Sequence, residues 1–261
     1  MMASRRQSKI VRAALLIGLA LLFAGCVGGQ KQAKPKPVVK DAEYSQKMAR
    51  SLFTAGRVSE AFEELDEAVA RYPEDPSLHH VYGVFAFQAG RHEQAVRALN
   101  RALELDNYLT DAHNVLGAVY IDLKDYMAAE EQLNKVLADP AYPTPHYAYF
   151  NLGRLYSEQG REDEAITALR RAVGIDPEYY QGHFQLASLL DQVGKLIEAV
   201  SEYEVAEPGY RKDGEYWYRR GFAYYRLGDP EKARDSLARV RSIAPGSESA
   251  ARADEILGLM D

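Results

Sequence analysis

The sequence predicts an all-α chain in which one helix–turn–helix unit is stacked six times into a solenoid. Three observations carry this. Small residues recur at a fixed interval: Gly83, Gly117 and Gly153 are 34 and 36 residues apart, and Gly221 lies 68 beyond Gly153. Ala187 stands at the midpoint of that last gap, and Ala49 precedes Gly83 by 34. An alanine follows each of these twelve residues later, at Ala61, Ala95, Ala129, Ala165, Ala199 and Ala233. A bulky residue follows four after that, at Leu65, Leu99, Leu133, Leu169, Tyr203 and Leu237. Glycines mark the turn inside a unit at Gly56, Gly90, Gly160, Gly194 and Gly228, and prolines mark unit ends at Pro73, Pro177 and Pro245. Such a period belongs to helix pairs that cannot bury an apolar face alone and must stack.

In chain order, residues 1–25 read as an address. Arg5, Arg6, Lys9 and Arg12 precede an unbroken apolar run from Ala13 to Ala24. A helix spanning a bilayer needs about 20 apolar residues, whereas this shorter run suits the core of a signal peptide. Ser8 and Lys9 stand where a twin-arginine signal would be hydrophobic, which favours general secretory export. The run ends in Leu22-Phe23-Ala24-Gly25-Cys26, which resembles the lipobox of bacterial lipoproteins, with Phe23 where leucine is usual. The resemblance implies cleavage before Cys26 and acylation of that residue, and several acyl chains together anchor a protein stably. Val27 replaces the aspartate that retains such lipoproteins on the inner membrane, so the expected place is the periplasmic face of the outer membrane. Residues 26–41 then carry the lipidated cysteine and a tether, in which Gly28-Gly29, Pro35, Pro37 and scattered lysines cannot build a core. As a flexible coil it would reach roughly 20 Å.

Residues 42–247 hold the six units, beginning at Ala42, Pro76, Thr110, His146, Tyr180 and Gly214. The register is similar to that of the tetratricopeptide repeat (TPR) family over almost every residue of this span. The resemblance implies a right-handed solenoid of paired antiparallel helices, with glycine or alanine where backbones cross. Residues 248–261 predict a closing helix, because Ala250, Ala253, Ile256, Leu257 and Met260 form one apolar stripe at helical spacing.

Composition narrows the function. From Asp41 onward there are 24 basic and 38 acidic residues, a net charge of −14, which disfavours nucleic acid because phosphate binding needs surplus Lys and Arg. Cys26 is the only cysteine, so a disulfide framework or multi-cysteine metal site is excluded. The chain contains no G-x-S-x-G, P-loop or G-x-G-x-x-G, and His92-Glu93 lacks the second histidine of a zinc protease. His79, His113 and His183 share the fourth position of their repeats and are expected to pack between helices, since a spaced ladder does not converge on one ion. Glu63-Glu64 and Glu130-Glu131 are expected to be solvated helix faces. No enzyme activity, cofactor, metal or small-molecule substrate is expected.

A surface remains. In TPR proteins the concave groove is lined by the first helix of each repeat at positions two, five, nine, twelve and thirteen. Transferred here, those positions hold Phe53, His80, Val84, Phe87, Ile121, Tyr147, Phe150, Phe184, Tyr218, Phe222 and Tyr225. Aromatic anchors in a concavity suit an apolar or amphipathic segment of a protein partner. Arg50 and Val84 occupy places where a carboxylate-gripping TPR clamp has asparagine or lysine, so an acidic chain terminus is not the expected ligand.

The junction of repeats three and four is two residues longer than the others and reads Asp139-Pro140-Ala141-Tyr142-Pro143, followed by Phe150-Asn151-Leu152-Gly153. Together with a lipid anchor and six TPRs this resembles the pilotins of type IV pilus machines, which bind the secretin subunit and promote its assembly in the outer membrane. The alternative is another periplasmic TPR lipoprotein serving β-barrel assembly, peptidoglycan synthesis or polysaccharide export.

Overall fold

The computed structural model describes residues 41–260, so the signal segment, Cys26, the tether up to Lys40, and Asp261 lie outside the described residues. Thirteen helices and no strand are found among the described residues. Repeat one is α1 (Ala42–Thr54) and α2 (Val58–Arg71); repeat two is α3 (Pro76–Gln88) and α4 (His92–Leu105). Repeat three is α5 (Thr110–Asp122) and α6 (Tyr126–Leu137), and repeat four is α7 (Pro145–Glu158) and α8 (Glu162–Ile175). Repeat five is α9 (Tyr180–Gln192) and α10 (Leu196–Tyr210), and repeat six is α11 (Gly214–Leu227) and α12 (Pro230–Ile243). The closing helix is α13 (Glu248–Leu259), packed on α11 and α12. The predicted helical solenoid of repeats is the observed fold; α7 starts one residue early because Pro145 serves as its first helical residue.

The turns explain why each unit reverses where it does. In all six repeats a backbone N–H two or three residues past the first helix donates to the carbonyl five residues back. The six are Arg57 to Leu52, Arg91 to Ala86, Asp125 to Tyr120, Arg161 to Tyr156, Lys195 to Leu190 and Asp229 to Tyr224, at 2.7–3.0 Å. This is the Schellman closure, which needs a left-handed residue just before the donor. Glycine supplies it in five repeats, and Lys124, at φ 61°, supplies it in the third. Aspartate side chains cap the starts of α1, α3, α6, α11 and α12.

Within a repeat the two helices cross at the eighth position. A Cβ built on Gly83, Gly117, Gly153 or Gly221 would stand 2.5–2.7 Å from Leu99, Leu133, Leu169 or Leu237 respectively. The leucine therefore sits directly on the backbone of the facing helix. Repeat one accommodates Ala49 against Leu65, and repeat five sets Ala187 against Tyr203, all four fully buried. The second helix of each repeat then packs on the first helix of the next, so the buried residues form a chain of clusters from Ala49 to Ile256. The interface of repeats five and six is aromatic: Tyr203 of α10 and Tyr216, Trp217 and Tyr224 of α11 are fully buried. Their polar atoms find partners, Tyr216 Oη donating to the Tyr203 carbonyl (2.6 Å) and Trp217 Nε1 to that of Arg211 (3.2 Å).

The fourth position joins three of the repeats to the loop before them. His79 Nε2 donates to the Pro73 carbonyl (2.9 Å) and His183 Nε2 to that of Pro177 (3.1 Å), the same six-residue reach that Trp217 makes. His113 Nδ1 instead meets Gln132 Oε1 at 2.7 Å, and Ser45 donates to Glu64 at the same distance, each across to the second helix. Glu130 likewise accepts from Tyr156 Oη (3.1 Å), so one member of each acidic pair bridges helices and is more than a solvated face. The lengthened junction is built in rather than looped out. Tyr142 is buried, donates to Asp111 (2.7 Å), and burial pushes its hydroxyl up to about 12. Asp139 accepts from Thr110 Oγ1 at 2.7 Å and holds the turn from the other side.

Lys124→Gly should raise stability by about 0.5–1 kcal/mol. A left-handed non-glycine costs about 1–2 kcal/mol, against which the greater freedom of glycine in the unfolded chain takes back about 0.4–1 kcal/mol. Gly153→Ala should lower it by about 1–3 kcal/mol, since the Leu169 branch point stands in the way. Denaturant midpoints of the two variants measure both; a stabilised Gly153→Ala would mean the helices separate freely.

Candidate partner-binding groove

Stacking places the first helices of successive repeats side by side, and their shared face carries an open cavity of about 440 Å³. Val84, Phe87 and Gln88 of α3 line it, with Asn114, Val115 and Ala118 of α5. Tyr147, Phe150, Asn151 and Arg154 of α7 follow, then Tyr179 and Gln181 at the start of repeat five. First helices approach one another at α1–α3, α3–α5, α5–α7 and α9–α11, and more loosely at α7–α9. Tyr179 lies at that looser seam. Its ring meets His146 (5.1 Å), Tyr147 (5.4 Å) and Phe150 (5.3 Å) on α7, and its edge lies where a Cβ on Gly182 of α9 would collide. Burial raises the Tyr179 hydroxyl above the ordinary tyrosine range, so it stays protonated and able to donate.

The polar members are arranged in pairs. Asn151 Nδ2 donates to Asn114 Oδ1 (3.0 Å) between α7 and α5, and Tyr179 Oη approaches Gln181 Oε1 at 3.5 Å. Arg154 binds Asp122 (2.9 Å), which His92 also approaches at 3.6 Å. The groove therefore offers apolar walls, amides and internally neutralised charge. Among the described residues no group of three His, Cys, Asp or Glu could hold a metal ion, and no helix is long and apolar enough to cross a membrane.

Of the residues predicted to line a groove, Val84, Phe87, Tyr147 and Phe150 come together in this cavity. Tyr218, Phe222 and Tyr225 form a separate row of near-parallel rings along α11, at 6.0 and 6.4 Å. Phe53 stacks on Phe85 (4.3 Å), and Phe184 leans on Tyr210 (4.6 Å), both half-buried. Two predictions need correction. Ile121 is only 3% exposed, because α5 and α7 approach closely and seat it among Ala148, Leu152 and Tyr142. Phe150 is 7% exposed, forming cavity floor and core together beneath Tyr179, and is no free anchor. Tyr147, 42% exposed, is the accessible one. Sequence reasoning passed over Gln88, Asn114, Ala118, Arg154 and Gln181, which occupy the same set of lining positions but are small or polar. It missed Tyr179 altogether, since that residue belongs to the junction and not to a first helix.

His80 lies between Arg50 of α1 and Asp111 of α5, with Nε2 buried and without a hydrogen-bond partner. Burial, reinforced by Arg50 and opposed by Asp111, lowers its pKa below the ordinary 6.5. The unfolded chain therefore binds a proton that the folded one resists, so stability is complete above pH 6.5 and falls as pH drops from there toward the depressed folded value. His80→Gln should lose less of its melting temperature between pH 7.5 and pH 5 than the parent protein does, both pH values being about one unit or more from the ordinary imidazole pKa. Equal losses would show that His80 titrates normally.

Tetratricopeptide repeat models match residues 47–109, 86–150, 146–179 and 214–247, together more than half of the chain. The TPR repeat-containing protein YpiA of Bacillus subtilis is 26% identical over 211 residues, covering 78% of this chain and 48% of YpiA. The chain spans less than half the length of the curated relatives it matches. Among solved structures, that of PilW, a widely conserved type IV pilus biogenesis factor, aligns with a TM-score of 0.73 at 19% identity, over 83% of this chain and 98% of PilW. That of Pseudomonas aeruginosa PilF aligns with 0.70 at 16%, over 84% of this chain and 97% of PilF. At such identities the likeness speaks for the fold. Six helix pairs closed at the same crossing, and models of one family over most of their length, give a single conclusion: the chain belongs to the tetratricopeptide repeat family.

Proposed function

We propose that this chain is a non-enzymatic scaffold, lipid-anchored through Cys26 at the periplasmic face of the outer membrane, whose groove captures the type IV pilus secretin subunit and promotes ring assembly. The observation that carries the reading is full coverage combined with close superposition: PilW and PilF align over 98% and 97% of their own lengths with TM-scores of 0.73 and 0.70. Other TPR structures meet one criterion or the other: YrrB is covered over 97% at a TM-score of 0.53, and the APC/C subunit Cut9 aligns at 0.72 with 43% of that chain covered. The groove supports the reading too. Its aromatic wall and paired charges suit an apolar client segment, and aromatic anchors supply most of the binding energy at such surfaces. A lipid anchor and a short tether would hold that client beside the bilayer it must enter.

Deleting the protein should reduce the heat-resistant secretin multimer on gels of unboiled envelopes while secretin monomer persists. Phe87→Ala and Tyr147→Ala should each weaken secretin capture by about 2 kcal/mol, against little change for Arg97→Ala or Arg170→Ala on second helices. Cys26→Ala should leave capture intact and move the protein out of the membrane fraction. A wild-type level of multimer in the deletion strain would overturn the secretin assignment in favour of a cell-wall, β-barrel or export scaffold.

A further inference from the structure

The two ends of the solenoid are held differently. At the carboxyl-terminal end α13 packs on α11 and α12, whereas among the described residues no helix precedes α1. In a solenoid each repeat contacts only its neighbours, so an end repeat without a closing helix depends on one interface. For repeat one that interface is the seam with repeat two. There Phe53 stacks on Phe85 (4.3 Å), Phe62 meets Tyr82 edge to face (5.3 Å), and Ser77 Oγ donates to Gln46 Oε1 (3.2 Å). None of these groups changes its protonation between pH 5 and pH 7.5.

His80 is the exception. It stands in the row of first helices, and two charged groups act on it, Arg50 from α1 on one side and Asp111 from α5 on the other. Its Nε2 is buried and has no hydrogen-bond partner, so a proton arriving there finds no acceptor while the seam is closed. The flanking charges decide which interface yields. An imidazolium is repelled by the guanidinium of repeat one and drawn to the carboxylate of repeat three. Asp111 is fixed on that side by the Tyr142 hydroxyl, which donates to it at 2.7 Å. Attraction therefore acts within repeats two and three, while repulsion acts across the one interface that repeat one has. The adjacent His79 is engaged elsewhere, its Nε2 donating to the Pro73 carbonyl at 2.9 Å.

We propose that repeat one is a proton-operated end of the solenoid: a proton on His80 releases α1 and α2 from repeat two while repeats two to six stay folded. Opening lets water reach the imidazolium and moves it away from Arg50. It also parts Phe53 from Phe85, which removes the first of the aromatic side chains predicted to line the groove. The device is independent of which partner the groove takes.

Hydrogen exchange followed by mass spectrometry on the full chain tests this, at pH 7.5 and pH 5.0, with rates corrected for the intrinsic effect of pH. A histidine with the ordinary value of 6.5 once exposed favours the open state by up to about thirtyfold at pH 5.0. Exchange from residues 42–71 should therefore rise by about threefold to thirtyfold on acidification, while residues 180–243 change by less than about twofold. His80→Gln should hold the rise in residues 42–71 below about twofold, and His79→Gln should retain it. Arg50→Gln, at an exposed side chain, removes the repulsion without entering the seam and should lower the rise. Circular dichroism at pH 7.5 would confirm that the variants remain helical. No rise in the parent protein, a rise spread evenly along the chain, or one undiminished by both His80→Gln and Arg50→Gln overturns the proposal.

Discussion

Everything in this chain depends on how closely two helices cross at the eighth position of each repeat. A leucine from the second helix rests on the backbone of the first, at a distance that leaves no room for a Cβ on Gly83, Gly117, Gly153 or Gly221. That contact fixes the angle and separation of the pair, and the pair fixes which side chains point to the next repeat and which to the concave face. Tightly packed interiors transmit such constraints because they lack voids to absorb a shift. The two repeats with alanine at the crossing show that the constraint can be met in other ways. Repeat five does so with the planar ring of Tyr203 against Ala187. That exchange draws aromatic side chains into the following repeat and sets its character.

The groove arises from a departure from this regularity. Between repeats four and five the first helices meet more loosely than elsewhere, and Tyr179 lies at that seam. A side chain set between two helices must itself be held, and Tyr179 is gripped on α7 by three rings and on α9 by the absence of a side chain at Gly182. One repeat earlier, the lengthened junction buries Tyr142 against Asp111 and gives α7 its start at Pro145. The N-terminal half of α7 is thus flanked by tyrosines from both of its junctions, and α7 contributes more of the cavity lining than any other helix.

The repeat was legible because its marks are imposed by hard constraints: glycine under leucine, glycine in the left-handed turn, proline at a unit end. Each permits few residue types, so the register survives in the letters. Lys124 shows the limit of that logic, since the turn closes there with the same hydrogen bond while the glycine is missing. The groove was legible only in part. A positional rule found Val84, Phe87 and Tyr147, because a lining position stays a lining position wherever helices stack regularly. It failed at Ile121, where α7 comes close enough to cover the side chain, and at Phe150, covered by a residue from outside the first helices. Favouring bulky apolar and aromatic residues at those positions also hid Asn114 and Gln181, which line the same cavity.

The two concave surfaces differ in kind, and the difference follows from packing. Along α11 the rings of Tyr218, Phe222 and Tyr225 are nearly parallel, and guanidinium groups cover two of them, Arg252 over Tyr218 at 4.3 Å and Arg226 over Phe222 at 5.9 Å. Those arginines are in turn tied to Glu215 and Asp191. Such a surface is already satisfied: its π faces hold cations and its cations hold carboxylates, so a ligand must displace favourable contacts to use it. At the cavity between α3 and α9 no cation covers Tyr147 or Tyr179 among the described residues. The rings there are set by one another, and the charges are paired at the rim with Asp122. A partner entering that cavity gives up water and meets bare aromatic faces. The capacity to bind therefore concentrates where the helix seam is looser, and the aromatic row of the sixth repeat serves chiefly to hold the end of the solenoid together beneath its closing helix.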